Sequence, residues 1–376
     1  STVSTLSRLI ASEIKDHGPI PVSRFMDLAL AHPEHGYYRT RDPLGQTGDF
    51  ITAPEISQMF GEIIGLWAAV VWQSLGCPDP FILAEFGPGR GTMMADALRA
   101  AKLQPGFVEA AHIHLVETSP TLRAHQKETL AGHHPIWHDT IEDLPQGPSI
   151  IIANEFFDAL PIQQFLLGEH GWTERLIAGG DPFHFVASKP IPDAIRLAEN
   201  LPETSPPNTI KETCPAALAI AESIARRLVE HSGACLIIDY GYADDAVGET
   251  WQAIQHHEFV DPLIDPGDSD LTAHVNFKAL CQAGRAGGAS CFGPVTQGAF
   301  LMDLGIGQRA QRLNKNATPE QIEVIDASLR RLIAPSEMGN LFKVMALASP
   351  DLETLPGLSQ NSEAQNIEAQ NTVAPS

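Results

Sequence analysis

Phe81-Ile-Leu-Ala-Glu85-Phe-Gly87-Pro-Gly89-Arg-Gly91-Thr92 is the stretch on which the fold turns. Residues 81–86 are apolar apart from Glu85 and show no polar alternation. That pattern predicts a strand buried on both faces, as in a parallel sheet. A helix is predicted over 92–102. Three glycines stand between them at alternate positions, more than a tight turn alone requires. Glycine lets backbone approach a ligand closely, and the N-terminus of the following helix favours a negative group. The spacing is G-x-G-x-G, not the G-x-G-x-x-G that cradles a dinucleotide pyrophosphate.

Further strands are predicted downstream at 112–116, 135–138, 149–153, 234–238 and 341–347. Helices at 92–102, 120–130, 217–230 and 277–283 fall between them. Short apolar strands alternating with helices predict an α/β fold, a sheet with helices on both faces. Upstream, residues 5–16 have the spacing of an amphipathic helix, and a second helix covers 23–31. Residues 32–50 are rich in turn formers. A third helix is predicted to open with Thr52 as cap and Glu55 at the capping-box position, and to run to Gly76.

Between the fourth and fifth strands, residues 163–167 and 173–177 flank Gly-Glu-His-Gly and predict a hairpin. A third strand at 184–187 and a Pro-rich connector follow. The organisation expected is an N-terminal helical extension over 1–78, a main domain over 79–349 with an insertion at about 162–215, and a disordered tail over 350–376. The tail is rich in Gln, Asn, Ser and Pro and has no aromatic residue.

The formal charge of −22 argues against a nucleic-acid or anionic-membrane surface, which needs clustered Lys and Arg. The five cysteines are odd in number and contain no C-x-x-C pair. A disulfide framework and a cysteine zinc site are therefore not expected, and a reducing compartment fits. No H-E-x-x-H occurs among the 15 histidines, so no metal is assigned. The longest apolar stretch, 63–72, is half of what spans a bilayer, and no secretory signal is read at the start.

With Glu85 two places before the first glycine, E-x-G-x-G-x-G resembles the first motif of class I S-adenosylmethionine (SAM) methyltransferases. On that resemblance Gly87, Pro88, Gly89, Gly91 and Thr92 form the cofactor loop. Its helix-end amides suit the methionyl carboxylate, and Glu85 takes the ammonium directly or through water. Glu117, at the end of the second strand beside Thr118, is placed to accept the ribose hydroxyls. Asp139, with Thr140, follows the third strand, where an adenine amino group is often met. The fourth strand ends in Asn154-Glu155-Phe-Phe-Asp158, where a substrate would meet the cofactor. Glu155 and Asp158 could hold a cationic nucleophile there. A nicotinamide dehydrogenase is disfavoured: Gly87 and Glu117 stand thirty positions apart, against about 20 in that fold.

From about His35 to Ala348 the chain resembles the MidA-like methyltransferases, whose mitochondrial relatives are complex I assembly factors. The resemblance rests on Gly48-Asp-Phe-Ile-Thr-Ala-Pro-Glu-Ile-Ser57, the Glu85–Thr92 loop, Val116-Glu-Thr-Ser119, the stretch from Asn154 to Pro161, Asp239-Tyr-Gly241 and Asp270-Leu-Thr-Ala273. It implies a class I methyltransferase fold with SAM as cofactor. It also implies a protein substrate bearing arginine, in the mitochondrial branch a quinone-module subunit of complex I. It places Gly48, Asp49 and Phe50 in a loop over the cofactor, and it adds His274 to Glu155 and Asp158 as a catalytic candidate. The family pattern more often has Asp at the position of His274 and His at that of Asn154. A bacterial member would be cytoplasmic, a eukaryotic one would lie in the mitochondrial matrix. A small-molecule methyltransferase would share the SAM site, and a non-catalytic assembly chaperone could retain it.

Overall fold

The computed structural model describes residues 2–40 and 51–361. Gly48, Asp49 and Phe50 lie outside the described residues. A short β1, Ile20–Pro21, precedes β2, Phe81–Phe86. Then come β3 (Ala111–Val116), β4 (Ile136–His138) and β5 (Ser149–Asn154). The insertion carries β6 (Gln163–Gly168), β7 (Gly171–Gly179), β8 (Phe183–Pro190) and β9 (Ile210–Thr213). The long β10 (Gly233–Tyr242) is followed by β11 (Gln252–Gln255), β12 (Glu258–Val260), β13 (Asp270–Thr272) and β14 (Val275–Asn276). Last are β15 (Ser290–Thr296), β16 (Phe342–Ala348) and β17 (Gln360–Asn361).

The main sheet has the order β17-β15-β16-β10-β5-β2-β3-β4, with β14 beside β10. Neighbours from β10 to β4 are parallel, while β16 runs antiparallel between β10 and β15. From β2 the chain builds outward to β3 and β4, then crosses back to β5 and β10. That reversal opens a crevice at the carboxyl ends of β2 and β5. Both faces of the sheet are covered, as the unalternated apolar strands predicted. Phe81, Leu83, Ile150 and Ile152 share a core with the helices Gln58–Ser74 and Thr92–Ala101. Ile82, Ala84, Phe86 and Ile151 share another with the helices Pro215–His231 and Phe277–Ala286.

The N-terminal extension is divided between two bodies. Its first part, with the helices Thr5–His17 and Val22–Ala31, joins the insertion: β1 pairs with β7, and Leu6, Ile10, Phe25 and Tyr37 share a core with Ile162, Ile177 and Leu271. Its second part packs on the main sheet. The helix predicted from Thr52 is broken at Ser57, which is extended (φ −159°) and whose hydroxyl accepts from Met59 N, capping Gln58–Ser74. Thr52 makes no side-chain cap bond at the short helix Ala53–Ile56.

The boundary expected at 350 is corrected. Leu352 and Leu355 are buried, Trp67 Nε1 donates to Pro356 O at 3.1 Å, and β17 pairs with β15. The two leucines supply the apolar surface that composition averaged over the whole tail concealed. The structure also joins Cys281 to Cys291, where no pairing was expected from the odd cysteine count.

Candidate active site

A cavity of about 470 Å³ opens at the carboxyl ends of β2, β3 and β5. Gly87 (φ +61°) and Gly89 (φ +60°) stand in the left-handed region, so a side chain at either position would be strained. Gly87 N donates to Val116 O at 3.0 Å, and Gly91 N to Pro88 O at 3.0 Å, which folds the loop tightly against β3. Gly87, Pro88 and Gly89 line the cavity. Gly91 and Thr92 do not: a Cβ on Gly91 would face Gln126 and Thr129, and Thr92 Oγ1 donates to Glu55 Oε1 at 2.6 Å. These two hold the loop rather than line the cavity, because the helix has already turned away from it.

The Glu117 carboxylate is fixed from two sides. Ser119 N donates to Oε2 at 3.1 Å, and Gln126 Nε2 to Oε1 at 3.1 Å. The same Gln126 amide donates to Gly89 O at 2.7 Å, and Trp137 Nε1 donates to Gln126 Oε1 at 2.8 Å, which sets its orientation. Burial raises the Glu117 carboxyl above its ordinary range, and these donors oppose the rise. Asp139 lies on the exposed rim, where it accepts from Arg123 Nη2 at 2.8 Å; Arg123 Nε in turn donates to Glu117 O at 2.6 Å. Thr118 and Thr140 line the same end.

Glu85 is 3% exposed, and its Oε1 has no hydrogen-bond partner among the described residues; Asn154 Oδ1 has none either. Burial and then the charge of Glu117 hold the Glu85 carboxyl well above the usual range. A buried, unsatisfied carboxyl facing a cavity suits a cation. The residues present fit SAM: a buried acid that suits an ammonium, a fixed carboxylate that suits ribose hydroxyls, and a loop with glycine at alternate positions.

At the other end Glu155 is held in the left-handed region (φ +52°), an unusual conformation for a residue with a side chain. Its backbone N donates to Ile238 O at 2.8 Å. Its carboxylate accepts from the Ala53 N–H, and Oε2 has no partner among the described residues. Burial, then Asp158 and Asp270, raise its carboxyl well above the usual range. Asp158 N donates to Asp239 Oδ2 at 3.2 Å, and the Asp158 carboxylate accepts from Tyr240. Burial pushes the Asp158 carboxyl to about 7. Asp270 and Thr272 of β13 complete this wall.

His274 lies elsewhere. It lines a second cavity of about 460 Å³ with Lys211, Glu212 and Cys214, and its ring meets Tyr240 edge-on at 5.4 Å. Thr272 and His274 are two residues apart, but Ala273 N is bound to Asp158 O and His274 N to Thr250 Oγ1, which turns His274 to the far side of the segment. It is therefore removed from the catalytic candidates.

Sequence reasoning missed Gln126, Tyr38 and Asp239 as site residues. Gln126 had a signal, since it interrupts the apolar stripe Leu122, Gln126, Leu130 of its helix. Asp239 had one too, an acid closing the apolar run of β10. Tyr38 reaches the cavity through a tertiary contact that no local pattern marks.

A doubly wound sheet whose antiparallel β16 sits between β10 and β15, with this acid-and-glycine cavity at its switch point, defines a class I SAM-dependent methyltransferase. Residues 63–295 match a family described as "Putative S-adenosyl-L-methionine-dependent methyltransferase". The chain is 36% identical over 91% of its length to the protein arginine methyltransferase NDUFAF7 homolog, mitochondrial, of Drosophila melanogaster, covering 84% of that protein. It is 34% identical over 92% of its length to the human protein arginine methyltransferase NDUFAF7, mitochondrial, covering 83% of it. A crystal structure from Burkholderia thailandensis bound to S-adenosyl-homocysteine (SAH) superposes with a TM-score of 0.79 at 27% identity, covering 96% of both chains. The chain belongs to the MidA-like family of SAM-dependent methyltransferases.

Proposed function

We propose that this methyltransferase acts on an arginine guanidinium of a protein. The observation that carries the reading is the wall of Glu155, Asp158 and Asp270 at the end of the cavity away from Asp139. Three buried or half-buried carboxyls crowd there, with Glu155 and Asp158 raised in proton affinity by burial, and a delocalised cation that donates several hydrogen bonds answers that arrangement. The names of the relatives support it.

SAM supplies, when bound, a methyl group on a positively charged sulfur. Glu117 accepts the ribose hydroxyls, Glu85 receives the ammonium, and the Gly87–Gly89 backbone lies along the methionyl end. Asp139 and Thr140 border the adenine. Arginine is a poor nucleophile because its pKa is about 12.5 or more and its electron density is delocalised. Glu155 grips the guanidinium and aims one nitrogen, with Asp270 beside it. Asp158 takes the proton that this nitrogen gives up on alkylation; a carboxyl near neutrality is suited to that. Tyr240 and the Asp158 backbone bond to Asp239 hold it in place. Phe156 packs against Phe86 with ring centroids 5.5 Å apart and walls the site from water.

The family resemblance extends the proposal to a complex I quinone-module subunit as acceptor. It extends it also to the mitochondrial matrix as the setting in a eukaryote and the cytoplasm in a bacterium. The test adds the purified protein and isotopically labelled SAM to lysate from cells lacking it. Label in a protein, at ω-methylarginine by mass spectrometry, is expected. Label confined to a small molecule would overturn the reading.

A further inference from the structure

The turn 32–36 and the helix Tyr37–Thr40 put two adjacent aromatics to different uses. Tyr37 is fully buried in the core shared by the extension and the insertion. Tyr38, its ring centroid 5.8 Å away at an interplanar angle of 67°, lines the large cavity instead. The turn before them is tight: a Cβ on Gly36 would stand 2.4 Å from His32 N and 2.8 Å from Leu30 O, so a larger residue would displace both tyrosines. Leu30 and Ala31 form the same wall of the cavity. The extension thus closes the site that the sheet opens.

Tyr38 lines the same cavity as Glu117, Asp158 and Asp270. Burial, then the charges of Asp270 and Asp158 and, more weakly, of Glu117, hold its phenol well above the usual range. Two of these acids belong to the acceptor wall and the third to the cofactor end. A phenol kept neutral among carboxylates is a hydrogen-bond donor at every physiological pH.

We propose that Tyr38 is a positioning residue for the acceptor, delivered by the N-terminal extension to the carboxylate wall of Asp158 and Asp270. The inference rests on the arginine reading above. The phenol fixes how those carboxylates face the guanidinium and limits where the guanidinium can lie. Tyr38 has no part in chemistry at the methyl group, and its ring packs against the edge of the core that its neighbour Tyr37 fills.

The full chain and Tyr38→Phe are compared with protamine, an arginine-rich protein, as acceptor. SAH binding is measured on both by calorimetry, and the melting temperature is recorded. In the variant, kcat/KM for protamine is expected to fall about tenfold or more, the size of one hydrogen bond to a carboxylate. The loss should appear mainly in KM, with SAH affinity and melting temperature unchanged. Equal kcat/KM in the two proteins overturns the proposal. A matching loss of SAH affinity also overturns it, since Tyr38 would then be part of the cofactor site. Both outcomes leave the arginine reading standing. Absence of arginine methylation by the unmodified protein overturns that reading and the proposal together.

Discussion

Gln126 and Glu117, nine residues apart on a helix and a strand end, meet at 3.1 Å, and the same Gln126 amide also holds the glycine loop through Gly89 O at 2.7 Å. One side chain therefore couples the glycine loop to the carboxylate proposed to take the ribose. Gln126→Leu keeps the volume and removes both bonds. It also leaves Trp137 Nε1 without its acceptor. A hydrogen bond to a charged group contributes ~1.5–3 kcal/mol, so SAH affinity is expected to fall by about tenfold or more in calorimetry. An unchanged affinity would mean that loop and carboxylate are positioned independently.

Asp158 ties stability to pH. An unfolded Asp titrates near about 3.9, whereas in the fold Asp158 is pushed up to about 7. The folded state thus holds the proton more tightly. The stability this group contributes is full below pH ~4 and is lost as pH rises through about 7. Asp158→Asn cannot ionise, so its gain in melting temperature over the parent is expected to be larger at pH 8 than at pH 4.5. A gain that is equal at both, or larger at pH 4.5, would contradict the shifted titration.

Truncation after Pro350 is expected to lower the melting temperature by several degrees. It removes the buried Leu352 and Leu355, the acceptor of Trp67 Nε1 and the β17 pairing. Burying one leucine contributes ~1.5–3 kcal/mol. Differential scanning calorimetry of the truncated and full chains decides it, and coincident transitions would show that the 351–361 segment adds nothing.

The main sheet was legible because its strands are buried on both faces, so that Phe81–Phe86 and Ser149–Asn154 read as continuous apolar runs. The strand Ser290–Thr296 was not: Gly293 and Pro294 punctuate it, and they fall where its pairing with β16 shifts register between Phe292 and Val295. The end of the cavity proposed to hold the cofactor could be located from sequence for a similar reason, since Glu85, Gly87, Gly89 and Glu117 all lie at strand ends. The acceptor half draws on β5, β10, β13 and the N-terminal extension at once. Glu155 and Asp158 could be placed from the end of β5 alone. Tyr38 and Asp270, more than two hundred residues apart in the chain, line one cavity, with the helix Val22–Ala31 packed against the Asp270–Thr272 strand. His274 was misplaced because three letters of spacing do not say which way a strand end turns.

The central claim is that the carboxylate wall receives the acceptor, and Glu155→Gln tests it most directly. Glutamine keeps the shape and an acceptor for the Ala53 N–H but removes the charge that pairs with guanidinium. Single-turnover methylation and SAM binding are measured on the same protein. Loss of a charge-assisted bond is worth ~1.5–3 kcal/mol, so methyl transfer is expected to slow by about tenfold or more while SAM affinity barely changes. Unchanged transfer, or an equal loss of transfer and SAM affinity, would contradict the account.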